Sequence, residues 1–243
     1  MIDDVSQFGF SVEPHVFKAF PTYLVGCIVA VGVKNAESSS AIERLLQEAE
    51  SNARERFTGI DVKSVPAIAA WRTAFATCGW APSKYPSSVE ALLKRVVRGD
   101  ALPRINPVVD LVNTAVLLHT VPIGAHDLAL VSTDGLSVRP ATSIDTFEPM
   151  GEPSVEVLEA GEIVYVSGSS VRTRRWVWRQ AKSALVTPAT KNLFIPIDGF
   201  HPVTSTNVEN ALTFLMSSLI EHLGATIHTG CVTAAEPTFS IHP

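Results

Sequence analysis

The chain has 243 residues, 46% of them hydrophobic and 18% charged, with a formal net charge of −5. That balance describes a globular chain long enough for a sizeable core, and it argues against disorder and against nucleic-acid binding through bulk charge, while leaving local basic patches open. Cys27, Cys78 and Cys231 are too few and too scattered for a disulfide framework or a zinc site, so they read as buried thiols of a reducing compartment.

The start, Met1-Ile2-Asp3-Asp4, is acidic and unlike a signal peptide. Phe8–Val12 predicts a short strand, and Tyr23–Val33, rich in Val and Ile, a buried central strand too short to span a bilayer. A soluble cytoplasmic protein is expected. After Ser38–Ser40, the spacing Ser40 to Glu43 is a capping box, and Ala41 to Phe57 is an amphipathic helix whose mixed-charge face is solvated. Ser64–Cys78 is a second helix, with Arg72 on its apolar side beside Ile68, Trp71 and Phe75. A buried-side arginine needs either an ion-pair partner or a bound carboxylate or phosphate. Ser87 to Glu90 caps a third helix running to Arg98, and Lys84, Lys94, Arg95, Arg98 and Arg104 make a basic patch that is either an ordinary solvated face or a phosphate contact.

Asn106 and Pro107 open the next helix, which is apolar nearly all round to Leu118. Its exceptions are Asp110 and Asn113, three apart and therefore on one side, with Thr114 close by. The chain then turns through Pro122, Ile123 and Gly124 into His126 and Asp127. A buried helix with a polar stripe, followed by such a bend, can wall a pocket. Short Val/Ile/Leu runs follow between Asp127 and Gly199, predicting strands over Leu128–Ser132, Leu136–Arg139, Val155–Leu158, Ile163–Val166, Arg172–Arg179 and Asn192–Ile197, with Pro149, Gly151, Pro153 and Gly161 marking loops. As one strand, Arg172–Gln180 would alternate, setting Trp176 and Trp178 beside Arg174 and opposite Arg175. That is either a stacking platform for a single-stranded end or a pair of core tryptophans with solvent-reaching arginines. A last capping box, Thr206 to Glu209, starts a helix ending at Gly224. Ala225–Val232 returns to the first sheet, and 234–243 reads as a frayed tail.

These motifs resemble the editing domain of the phenylalanyl-tRNA synthetase beta subunit, formed by its third and fourth modules. The family pattern I-N-N-V-V-D-x-T-N followed by G-Q-P-x-H-A-F-D is matched without a gap by Ile105, Asn106, Val108, Val109, Asp110, Asn113, Pro122, Ala125 and Asp127. Free-standing relatives of that domain carry P-I-G-G-x-D-L and R-R-W-N-W-R, to which Pro122–Leu128 and Arg174–Arg179 are similar. The resemblance covers roughly Val62 to Leu223. It implies an α+β fold, a single unit over 1–243 with a mixed sheet, packed helices and a β-rich excursion. It also implies hydrolysis of the ester that joins a wrong amino acid to the tRNA 3′ end. Such an ester is already activated, so water placement and oxyanion stabilisation suffice. Asn113, His126, Asp110 and Asp127 are the residues expected nearest the chemistry. Arg72, Lys84, Arg104, Arg174 and Arg175 would hold phosphate or carboxylate, Trp176 would stack on the terminal base, and Gly124 would leave space for substrate. Two departures stand out: Val112 replaces the family threonine, and Gly124 replaces the family histidine, with His126 two places later.

There is no G-x-S-x-G, Walker loop, G-x-G-x-x-G or H-E-x-x-H, and the seven histidines lack metal-ligand spacing, so no cofactor and no metal are expected. Three readings follow: a trans-acting deacylase of mischarged tRNA, a non-catalytic module binding tRNA or a protein, and an enzyme acting on a free amino acid or its derivative.

Overall fold

Alternation along two long strands sets the architecture. The computed structural model describes residues 5–36, 39–150 and 155–241. In chain order it contains β1 (Gly9–Val12), α1 (Pro14–Ala19), β2 (Tyr23–Val31), α2 (Ser40–Arg56), α3 (Pro66–Thr77), α4 (Ser88–Val97), α5 (Pro107–His119), β3 (His126–Asp127), β4 (Leu136–Pro140), β5 (Thr146–Phe147), β6 (Glu156–Val157), β7 (Ile163–Ser167), β8 (Ser170–Arg174), β9 (Arg179–Gln180), β10 (Asn192–Phe200), α6 (Ser205–Leu223), β11 (Thr226–Val232) and β12 (Thr238–Ser240).

The strands β11-β2-β10-β3 make an antiparallel sheet with β2 inside it. Successive side chains of a strand point to opposite faces, so each central strand serves two cores. Leu24, Ile28 and Ala30 of β2, with Leu193, Ile195 and Ile197 of β10, pack on the layer formed by α2, α5 and α6. Tyr23, Val25, Cys27 and Val29, with Phe194 and Phe200, face the second sheet. That sheet runs β12-β1-β4-β7-β8-β5-β6, with β9 paired to β8; β1–β4 and β5–β8 are parallel pairs. β7 divides in the same way: Ile163 and Tyr165 join the inter-sheet core, while Val164 and Val166 turn to a small third core. The whole is a single α+β domain with a mixed sheet and packed helices. Glycine at 26 and 199 lets α6 lie on the first sheet, since a Cβ there would come within 2.9 and 2.6 Å of Val208.

Several local expectations shift. The cap of α2 is Ser39, which accepts from Ile42 N at 3.3 Å, one residue earlier than the predicted box. Thr204, not Thr206, precedes α6, and its hydroxyl accepts from Phe200 N at 2.8 Å. Ser87 makes no cap bond, and Glu90 turns to Arg72 and Lys94 rather than back to the helix start. Leu128–Leu130 is a 3-10 turn begun by the Asp127 side chain, not a strand. The tail is not frayed up to residue 241: β12 pairs antiparallel with β1. Among the described residues no helix is long and apolar enough to cross a membrane. Met1–Asp4, Ser38, the loop markers Gly151 and Pro153, and the last two residues of the tail lie outside the described residues.

Candidate functional site

α5 leads into the site. Asn106 caps it by accepting from Val109 N at 3.1 Å, and the helix is buried nearly throughout. It ends at Thr120 in the left-handed region (φ 58°), where Arg56 donates to the Leu117 and Leu118 carbonyls and to the Thr120 hydroxyl. The chain then runs antiparallel along β10. Asp198 N donates to Pro122 O and Gly124 N to Pro196 O, both at 3.0 Å, Ile123 bridges Ile197, and His126 pairs with Phe194. This register places Gly124 and His126 on the same inter-sheet face as Phe194, Pro196 and Asp198.

Behind the bend is a cavity of about 70 Å³, whose wall includes Gly124, His126, Tyr165, Trp176, Gln180 and Asp198. His126 is 2% exposed, and among the described residues neither ring nitrogen has a hydrogen-bond partner. Its ring stacks on Tyr165 at 5.8 Å and on Phe194 at 6.5 Å. Burial, and then the nearby charge of Arg172, push its pKa down to about 3, so the ring is neutral. A Cβ added to Gly124 would sit 3.2 Å from His126 Nε2, so this nitrogen borders the space the glycine leaves.

Asp198 is 1% exposed. Two hydroxyls, those of Tyr23 and Tyr165, donate to its Oδ1, the second at 2.6 Å. Burial raises its pKa to about 7, against the opposite pull of the Tyr165 and Tyr23 hydrogen bonds. Burial first, and then the Asp198 charge, hold both phenols well above 10, so they remain donors.

The predicted strand Arg172–Arg179 is interrupted. Arg175 and Trp176 take φ of 45° and 64°, a region costly for side chains of this size. The kink drives Trp176 inward, 0% exposed, with its ring 4.7 Å from Tyr23 and 5.1 Å from Trp71. It is a wall of the cavity and not a surface stacking platform.

Of the residues expected at the site, the structure brings Gly124, His126 and Trp176 to one cavity. The polar stripe of α5 is not its wall. Asp110 accepts from Ile105 N at 3.0 Å, holding the segment before the helix, and Asn113 is half-buried and does not line the cavity. Asp127 accepts from Ala129 N and from the Thr190 hydroxyl at 2.9 and 2.6 Å. The arginines are held by carboxylates of the chain: Arg72 by Glu90 at 2.8 Å, Arg104 by Glu50 at 2.8 Å, and Arg174 by Glu156 and Glu162. Arg175 lies 3.9 Å over the Tyr85 ring and 3.5 Å from Glu162. Lys84 is exposed, 5.2 Å over the same ring. Sequence reasoning missed Asp198 and Tyr165. The signal was present: continuing the β10 alternation past Ile197 to Phe200 sets a carboxylate on a face otherwise made of Phe194, Pro196 and Phe200.

Among the described residues no group of three or more His, Cys, Asp or Glu could hold a metal. Fold and site together define an α+β domain with a small, mostly apolar cavity that carries titratable groups on its wall. Residues 70–224 match the B3/4 domain family, and the chain belongs to that family. No curated protein matches it. Among solved structures, an N-terminal fragment of the phenylalanyl-tRNA synthetase beta-subunit from Pyrococcus horikoshii is similar, at 13% identity and a TM-score of 0.47 over 90% of this chain. The match spans 49% of that structure's chain, about half its length.

Proposed function

We propose that the chain hydrolyses the ester of mischarged aminoacyl-tRNA, with the amino-acid portion in the cavity behind the Pro122–His126 bend. Membership of the B3/4 family is consistent with a tRNA-related function, and the motif match at 105–113 and 122–127 supports it. The observation that carries the reading is the unpartnered His126 ring. A buried polar atom with no partner costs about 1–3 kcal/mol, and a ligand that bonds it recovers that cost. A neutral imidazole offers one donor and one acceptor, enough to orient water against an ester carbonyl. The cavity, about 70 Å³, has room for about two waters or a small side chain.

One observation favours a second reading, a free amino acid or its derivative as substrate: the arginines expected to hold phosphate are taken up by Glu50, Glu90, Glu156 and Glu162. A deacylation screen over a panel of aminoacyl-tRNAs separates the two. Release of amino acid by the wild-type chain, slowed by His126→Ala, supports the first reading. Stabilisation by free amino acids with no release from any charged tRNA supports the second. Salt-sensitive tRNA binding without turnover marks a non-catalytic module.

A further inference from the structure

Resting on the deacylase reading, we propose that Asp198 takes the proton of the attacking water, and that Tyr23 and Tyr165 are positioning residues that aim its carboxylate into the cavity. Both phenols donate to Oδ1, which leaves Oδ2 outside that pair. Asp198 lines the same cavity as His126 and Tyr165, and its own N–H is tied to the bend at Pro122 O. No ion pair engages it among the described residues. A buried carboxylate without a cation is expensive, and groups so perturbed cluster at functional sites.

The titratable groups around it are Tyr23 and Cys27 from β2, Tyr165 from β7 and His126 from β3, whose ring Arg172 of β8 helps to keep uncharged. α6 meets Gly26 and Gly199, the glycines of β2 and β10 nearest this point of the sheet, with the apolar side chains of Val208 and Leu212. Burial and the two hydrogen bonds oppose each other, and the carboxyl titrates at about 7. That value suits a base working near neutrality.

In the step, water oxygen bonds to the ester carbonyl carbon while one water proton passes to Asp198 Oδ2. The tetrahedral intermediate collapses with cleavage of the carbon–oxygen bond to the ribose, and the same proton returns to the departing ribose oxygen. The products are the free amino acid and uncharged tRNA, and Asp198 is again a carboxylate. His126, held neutral, fixes the water and is not required to move a proton.

The test is single-turnover deacylation as a function of pH with the full chain and an aminoacyl-tRNA it hydrolyses. The wild-type rate should rise with pH and level off above about 7. Asp198→Asn should lower the plateau by roughly 100-fold or more and remove the limb, with tRNA affinity retained. Tyr165→Phe takes one donor from the carboxylate, so its limb should move to higher pH. Wild-type-like rate and profile in Asp198→Asn overturn the role of Asp198 and leave the deacylase reading standing. If Asp198→Asn does not fold, an unmoved limb in Tyr165→Phe overturns it instead. Wild-type failure on every charged tRNA overturns both.

Discussion

Replacing Asp198 by Asn should make the protein less sensitive to alkaline conditions, and the size of the effect follows from the site. The asparagine amide mimics the protonated acid: its Oδ1 can still accept from Tyr23 and Tyr165, and nothing at the position can ionise. In the wild type the folded carboxyl titrates at about 7 rather than 3.8. The folded state therefore holds the proton more tightly than the unfolded chain. This group's stabilisation is complete below about pH 4 and is lost as pH rises through about 7. Fully ionised, the buried group costs roughly 4 kcal/mol relative to its protonated form, and between pH 5 and pH 8 the change is roughly 2–3 kcal/mol. Urea unfolding of both proteins across that window, at equal m-value, reads the difference directly. Asp198→Asn should gain on the wild type by that amount as pH rises. A constant difference between the two, or a wild type that gains on the variant, would refute the argument that Asp198 is buried, unpaired by a cation and held in part protonated.

His126 predicts the opposite slope. Its pKa is pushed down to about 3, so the stability it confers as a neutral ring is present above the ordinary histidine range near 6.5 and is lost as pH falls towards 3. His126→Phe, which keeps the stacking on Tyr165 and Phe194, should shift the acid-unfolding midpoint to lower pH. Arg72→Ala leaves the fully buried Glu90 with Lys94 alone, and should cost roughly 3 kcal/mol in urea unfolding without altering turnover per folded molecule. Gly124→Ala places a methyl 3.2 Å from both His126 Nε2 and Pro196 Cγ. Steady-state kinetics should show poorer turnover of larger aminoacyl groups, at a stability change within about 1 kcal/mol. Asn113→Ala should leave deacylation unchanged, because the side chain does not line the cavity; a large loss of rate would return α5 to the site.

Much of this molecule is readable from local pattern. The unbroken apolar run at Tyr23–Val31, rich in Val and Ile, announces a strand buried on both faces, and the 3.6 period announces α2 to α6 to within a residue or two. Pro122–Gly124 marks a bend because proline and glycine act on the backbone wherever they stand. Tertiary partners settled the rest. Whether a buried polar residue serves the fold or a ligand depends on what lies opposite it, and that partner is distant in the chain. Asp110 turned out to hold the Ile105 backbone, Arg72 to meet Glu90, and Arg104 to meet Glu50. Asp198 gains its character from burial and from the hydroxyls of Tyr23 and Tyr165, brought from 175 and 33 residues away. Trp176 needed two left-handed residues, which no strand periodicity contains, to turn inward. Alternation and capping are properties of neighbours along the backbone and so can be read in one dimension; desolvation and hydrogen-bond pairing are properties of neighbours in space, and only the packed sheets decided them.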